Sequence, residues 1–371
     1  MEFQLGGGLV VLPGGRLRRG WVGVRGGKVA YVGRWPAAGV ARVELPHHIL
    51  CPGFIDLHVH GGGGHSLDEP HGVEGFAAWA PSRGVTAFLA SPLFSSPEQA
   101  CRRLPQLAAA RPGHAREPAA RCLGIYLEGP FVQPARRGAL PPGWPVAPGR
   151  HWLERLMEAA AGRLRVMVVA PELPGALEII GELRGAGVVP ALGHTDADYE
   201  TFWQGVRAGA GLVTHCFNAM RGIHHREPGA AGAAMVCPLP VELVADGHHV
   251  HPAVLRLALA CKGTAGVILV SDAVAPAGTA AAGEPQASAW ELGGQAVRVE
   301  QGRVVLADGT LAGSACPLDE VVRFAVRGAG VDLGEAVEMV TANPARVLGL
   351  AGRLGELAEG CLADITVLDG E

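Results

Sequence analysis

At 371 residues the chain is long enough for one large barrel with a small attachment, or for two ordinary domains. Its 49% hydrophobic and 18% charged residues describe a globular protein, and 55 glycines with 28 prolines point to many turns and close backbone approaches. A net charge of −4 leaves no basic stripe for a nucleic-acid backbone and no polybasic anchor for an anionic membrane, so a small molecule is the expected partner.

The opening residues MEFQLGGGLVVLPGG lack a cationic region followed by a long apolar stretch. No segment approaches the roughly 20 apolar residues that span a bilayer, and a cytoplasmic location is expected. The eight cysteines, at 51, 101, 122, 216, 237, 261, 316 and 361, are scattered without a CxxC pair, as for reduced thiols serving as small core residues.

The first fifty residues hold short β-type runs broken by glycine: LVVL at 9–12, WVGVR at 21–25, KVAYVG at 28–33 and ARVEL at 41–45. They predict a small antiparallel sheet. From residue 54 apolar runs alternate with helical stretches, the pattern of βα units around a parallel sheet. Eight strands are predicted: FIDLHV, VTAFLA, RCLGIYL, RVMVVA, VVPALG, AGLVTH, VELVAD and GVILVS, which together imply a closed (β/α)8 barrel in the α/β class. Helices are predicted at 73–83, 97–110, 151–161, 174–186, 197–208 and 251–262, several opening near Pro, Asp or Ser. A hairpin insertion is expected near 286–308, then helices near 316–329, 333–340 and 343–350. The tail GELAEGCLADITVLDG returns to β texture, so both chain ends should share one small sheet. The expected division is 1–53 with 344–371 for that small domain, and 54–343 for the barrel.

Barrel enzymes carry their reacting groups at the C-terminal ends of the strands. In PGFIDLHVH, the residues Asp56, His58 and His60 alternate, so in a strand they share a face. The third strand ends in Glu128, the fifth in His194, the sixth in His215 and the eighth in Asp272. Imidazoles and carboxylates closing apolar runs at one rim are the donor set of a divalent metal, zinc or iron. Glu128, His194 and His215 make a three-ligand set with one position left for water. His58 and His60 would bind a second ion or line the site, giving one or two ions per chain. Asp272 is then placed as the base that takes a proton from water and the acid that returns it to a leaving amine. The glycine run 61–64 lacks the residues of a phosphate loop and is read as a mobile loop. Arg226, in HHREPG, is placed to meet an anion. Of His248 and His249, one is expected in the core and the other facing substrate.

The motifs HVHGGGG, LEGPF, GHTDA, THCFNAM, REPG, ADGHHV, SDAVAPAG, LAGS and ADITVLD, in this order over nearly the whole chain, resemble the N-acetylglucosamine-6-phosphate deacetylase family of the amidohydrolase superfamily. The resemblance implies a (β/α)8 barrel with a small β-sandwich built from both termini. It implies hydrolysis of the acetamide of N-acetyl-D-glucosamine 6-phosphate in amino-sugar catabolism, with Glu128, His194 and His215 as principal metal ligands and Asp272 as base and acid. Asn218 and Ala219 match contacts to the sugar phosphate, and Arg226 with His249 match a phosphate clamp shared across a homodimer. Leu311, Gly313 and Ser314 belong to the stretch that lies against the acetyl group. Leu140 stands where the family has a substrate-touching His, a change that removes a hydrogen bond worth on the order of 1 kcal/mol. The alternative reading is another amidase or deaminase of the superfamily acting on a different N-acyl sugar or a cyclic amide, which would leave Arg226 without an anion.

Overall fold

The computed structural model describes residues 2–110, 119–279 and 290–369. Eight parallel strands follow one another in space as in sequence: Phe54–Val59, Val85–Ala90, Arg121–Phe131, Leu164–Val169, Val189–Leu192, Leu212–Val213, Val241–Leu243 and Val267–Leu269. Each coincides with a predicted strand. The runs are near-continuously apolar because both faces are covered, the inner by opposite strands and the outer by helices. Val166, Met167, Val168 and Val169, for example, are all fully buried.

Between the last and first strands the ring is drawn together just past the eighth strand. The Asp272 amide donates to the His58 carbonyl at 3.0 Å, and the His60 amide donates to the Ala273 carbonyl at 2.8 Å. Side chains reinforce the seam: the Ser271 hydroxyl donates to Asp56 Oδ2 at 2.6 Å and its amide to Oδ1 at 3.3 Å. Asp56 therefore stitches the barrel shut, whereas the shared face of a strand had placed it beside His58 and His60.

Burial pushes the Asp56 carboxyl up from 3.8 to about 7, against the lowering effect of its bonds to Ser271. Between those two values the folded chain holds a proton that the unfolded chain has lost. The stability this contributes is complete below 3.8 and disappears as pH rises through about 7. In Asp56→Asn that titration is gone. Thermal melts should show Tm falling less from about pH 5 to about pH 8 in the variant than in the wild type, and equal slopes would remove Asp56 from the pH dependence.

The helices between strands are amphipathic and capped. Leu318–Ala329 buries Leu318, Val321, Val322, Ala325 and Ala329, one stripe at helical spacing. Ser96 and Asp198 accept from amides three residues on, at the starts of Pro97–Ala109 and Tyr199–Ala208. The first predicted helix divides into Pro70–Trp79 and a 3-10 turn over Ala80–Arg83, since Pro81 has no N–H to continue the ladder. One helix has no counterpart in the prediction: Gly229–Val236, sequence GAAGAAMV, whose six buried residues leave no polar face to mark a period.

The glycine run is anchored rather than loose. Gly61–Gly62 pairs with His65–Ser66, and the amides of Gly61, Gly63 and Gly64 donate to carbonyls of Ala273, Ala277 and Ala275. A Cβ at Gly62 or Gly63 would meet the Trp79 ring at 2.5 Å, so only glycine fits this approach.

Past the eighth strand, Trp290–Leu292, Gln295–Glu300 and Arg303–Val305 form the expected antiparallel insertion; its predicted start at 286–289 lies outside the described residues. Leu311–Ser314 adds a fourth strand and bridges back to Ala273. At the ends of the chain, Ile365–Asp369 pairs with His48–Pro52 in one six-stranded sheet with the N-terminal strands, over a small core of Leu5, Val10, Val22, Val24, Val29, Leu50 and Leu357. Among the described residues no helix is long and apolar enough to cross a membrane. All eight cysteines are free, four of them buried.

Candidate metal and catalytic site

The C-terminal rim of the barrel gathers the predicted donors into two adjoining groups, Glu128 with His194 and His215, and His58 with His60 and Asp272. All six side chains are buried. Glu128 joins the groups. Its Oε1 lies 2.6 Å from His194 Nε2 and 2.8 Å from His215 Nε2. Its Oε2 faces His60 Nε2 at 3.6 Å and His58 Nε2 at 3.8 Å. Asp272 Oδ1 is 3.1 Å from His60 Nε2 and 3.8 Å from His58 Nε2.

Three of these residues hold left-handed backbone, His194 at φ 47°, His215 at φ 21° and Asp272 at φ 49°. For residues bearing a Cβ this costs on the order of 1–3 kcal/mol each and persists only where the surroundings impose it. The strained turn at each strand end redirects the side chain from the barrel wall to the centre of the rim.

The protons show what the cluster lacks. His194 Nδ1 lies 2.7 Å from the Arg136 carbonyl and His60 Nδ1 lies 2.6 Å from the Ser91 carbonyl; a carbonyl only accepts, so both Nδ1 atoms carry hydrogen. In the neutral ring, Nε2 then presents a lone pair to a carboxylate oxygen. His194 Nε2 also stands 3.1 Å from His215 Nε2, while His58 Nε2 and His215 Nδ1 are buried without a hydrogen-bond partner. Such an array is repulsive unless positive charge sits inside it. The titration directions agree: burial opposes charging His58 and His60, yet the facing carboxylates hold both imidazoles above their ordinary value. A divalent cation satisfies these donors without protons, and nitrogen with carboxylate oxygen is the chemistry that zinc and iron accept.

Above the donors opens a cavity of about 240 Å³. Asn218, Ala219, His249, Leu311 and Gly313 line it, as the sequence anticipated. His249 donates from Nδ1 to Asp246 Oδ2 at 2.7 Å and turns Nε2 toward Asp272 Oδ2, 4.0 Å away. His248, its neighbour, is exposed rather than in the core. Ser314 is not among the lining residues; its hydroxyl donates to the same Asp246 oxygen at 2.8 Å and so braces His249 from behind. Arg226 lies in an exposed loop outside the lining of its own chain's cavity.

Leu140 does enter the wall, as do Leu93, Leu292 and Leu311, so the lining carries four leucines. Its loop is fixed by Trp144, fully buried, whose indole N–H donates to the Glu128 carbonyl at 2.7 Å. Beside it, Asp196 bridges Arg136 and Arg221, with nearest contacts of 2.7 and 2.8 Å, which steadies the carbonyl that orients His194. The two guanidiniums hold the Asp196 carboxyl down at about 2. Sequence reading missed Asp196 because its contacts cross between strand-end loops, a relation no local pattern encodes, and it passed over the shorter-range bonds of Asp246 to His249 and of Trp144 to the Glu128 carbonyl.

Comparison with known proteins places this geometry. The amidohydrolase family matches residues 49–371. Among relatives, N-acetylgalactosamine-6-phosphate deacetylase of Escherichia coli O157:H7 is 38% identical over 89% of this chain and 86% of its own length. N-acetylglucosamine-6-phosphate deacetylase of Bacillus subtilis (strain 168) is 32% identical over 96% of this chain and 90% of its own. The crystal structure of N-acetyl-D-glucosamine-6-phosphate deacetylase from Mycobacterium smegmatis superposes with a TM-score of 0.90, at 34% identity, over 99% of this chain and 96% of that one. The chain belongs to the amidohydrolase family and, within it, to the N-acetylglucosamine-6-phosphate deacetylase family.

Proposed function

We propose that the protein hydrolyses the acetamide of N-acetyl-D-glucosamine 6-phosphate to glucosamine 6-phosphate and acetate, a step of amino-sugar catabolism in the cytoplasm. The observation that carries this reading is the convergence of Glu128, His60, His194, His215 and Asp272 on one cavity. Glu128, His194 and His215 would hold a divalent ion, zinc or iron, which would supply Lewis acidity to the amide carbonyl and to water. His58 and His60, with Asp272, would hold a second.

Asp272 does the proton work. Its Oδ1 faces His60 while Oδ2 is turned to the cavity side, beside His249. That oxygen accepts a proton from the attacking water and returns one to the amine nitrogen as the C–N bond breaks. Asn218 and Ala219 hold the sugar phosphate, and Leu311 and Gly313 lie along the acetyl group. His249 offers Nε2 to the substrate because Asp246 occupies Nδ1. Arg226, exposed in its own chain, acts on the phosphate across a homodimer contact.

A second reading has its own support. The Escherichia coli relative is named for the galacto epimer, and Leu140 lines the cavity where a hydrogen-bonding residue would read a hydroxyl. Acetate release by metal-loaded protein decides between them. The 6-phosphates of N-acetylglucosamine and N-acetylgalactosamine are compared, with unphosphorylated N-acetylglucosamine as the third arm. The expected order puts the gluco phosphate first. The unphosphorylated sugar should be worse by roughly 10- to 150-fold in kcat/KM, the value of about 1.5–3 kcal/mol for hydrogen bonds to a charged group. A larger kcat/KM for the galacto phosphate selects the second reading, and equal turnover with and without phosphate rejects both.

A further inference from the structure

Beneath the metal donors, inside the barrel, lies a carboxylate that the reaction as described does not use. Glu242 is central to the seventh strand, Val241–Leu243, and has no solvent exposure. Its Oε2 accepts from the Tyr126 hydroxyl at 3.1 Å and stands 3.4 Å from His58 Nδ1. Its Oε1 is buried without a partner. A carboxyl group in an apolar strand is costly to bury unless something repays its desolvation.

Two oxygens approach His58 Nδ1, and they make opposite demands. Thr214 Oγ1, at 3.3 Å, can donate or accept. Glu242 Oε2 already receives the Tyr126 proton and can only accept in its ionised form. The arrangement that satisfies all three places hydrogen on His58 Nδ1 and directs it to Glu242. The Nε2 lone pair then points into the rim, where it is buried, unpartnered, and 3.8 Å from both Glu128 Oε2 and Asp272 Oδ1. Tyr126 serves twice: its ring stacks on His58 with centroids 4.3 Å apart and planes at 23°, so that the imidazole cannot swing away.

We infer that Glu242 is a positioning residue which fixes the His58 tautomer and ring, and that its charge makes the His58, His60 and Asp272 group competent to bind a second divalent cation. This rests on the reading of that group as a ligand set. Charge accounting supports it. Among the described residues every ion-pair partner of Glu128, Glu242 and Asp272 is an imidazole. Three carboxylates carry one unit of negative charge more than a single dication offsets, which leaves a demand for further positive charge at the rim.

The test is metal binding. Metal-free wild type, Glu242→Gln and Thr214→Val are titrated with Zn²⁺, with bound metal counted by elemental analysis, and with Co²⁺, followed by its visible absorption. Melting of the metal-free proteins serves as the folding control. Wild type should take up two ions. In Glu242→Gln the first should bind as in wild type and the second about 10- to 100-fold more weakly, the usual effect of losing an outer partner of a ligating histidine. Thr214→Val should keep the second ion. Unchanged binding of both ions by Glu242→Gln overturns the role of Glu242 while leaving the ligand set intact. Equal weakening of both ions, or loss of the second in Thr214→Val alone, likewise overturns it. A wild type that takes up a single ion removes the ligand set and this inference together.

Discussion

Glu128→Gln is expected to release the divalent ion and abolish acetate production together. Glu128 links the two donor groups, Oε1 meeting His194 and His215, and Oε2 meeting His58 and His60. Glutamine keeps the shape but removes the charge, and its amide presents one oxygen where two are used. Metal affinity should therefore fall by more than the ~10–100-fold that loss of an outer partner costs. Equilibrium dialysis followed by elemental analysis would register it. A variant that keeps full metal content and activity would show that Glu128 is an ordinary buried carboxylate.

Asp272→Asn should have the opposite signature, with the ion retained and turnover lost. Glu128, His194 and His215 remain, so one ion per chain should still bind. The carboxylate proposed as base for the water and as acid for the amine is gone, however. A single proton-transfer group contributes ~10²–10⁴-fold to a rate, and because Asp272 acts twice, kcat should fall toward the upper end of that range. KM should change little, since the sugar and phosphate contacts lie elsewhere in the cavity. Loss of the first ion together with activity would contradict this assignment, and retained kcat would move the proton work to another group.

Much of this arrangement was legible in the sequence. Strands buried on both faces must be apolar throughout, so a Glu, His or Asp closing such a run is conspicuous, and Glu128, His194, His215 and Asp272 were all found in that way. His58 and His60 stood out through their alternation. Glu242 was hidden for the same reason in reverse. It is the second residue of VELVAD rather than its end, and in a strand covered on both sides the alternation does not say which face is the barrel interior. Asp56 misled because it shares the strand with His58 and His60, yet its carboxylate is claimed by Ser271 across the seam. The helix at Gly229–Val236 escaped because alanine and glycine carry no amphipathic period. Arg136, Arg221 and Asp196 meet only through folded loops, and nothing local announces such a meeting.

The seam between the first and last barrel strands has a consequence for how activity is acquired. His60 and Asp272 stand 212 residues apart in sequence and 3.1 Å apart in space. During synthesis the segments bearing Glu128, His194 and His215 leave the ribosome before Asp272 is made. A nascent chain therefore presents Glu128, His194 and His215 before Asp272, and the rim is incomplete until the two edges of the barrel join. The same hydrogen bonds that zip those edges bring Asp272 to His60, so closure of the barrel is a precondition for turnover.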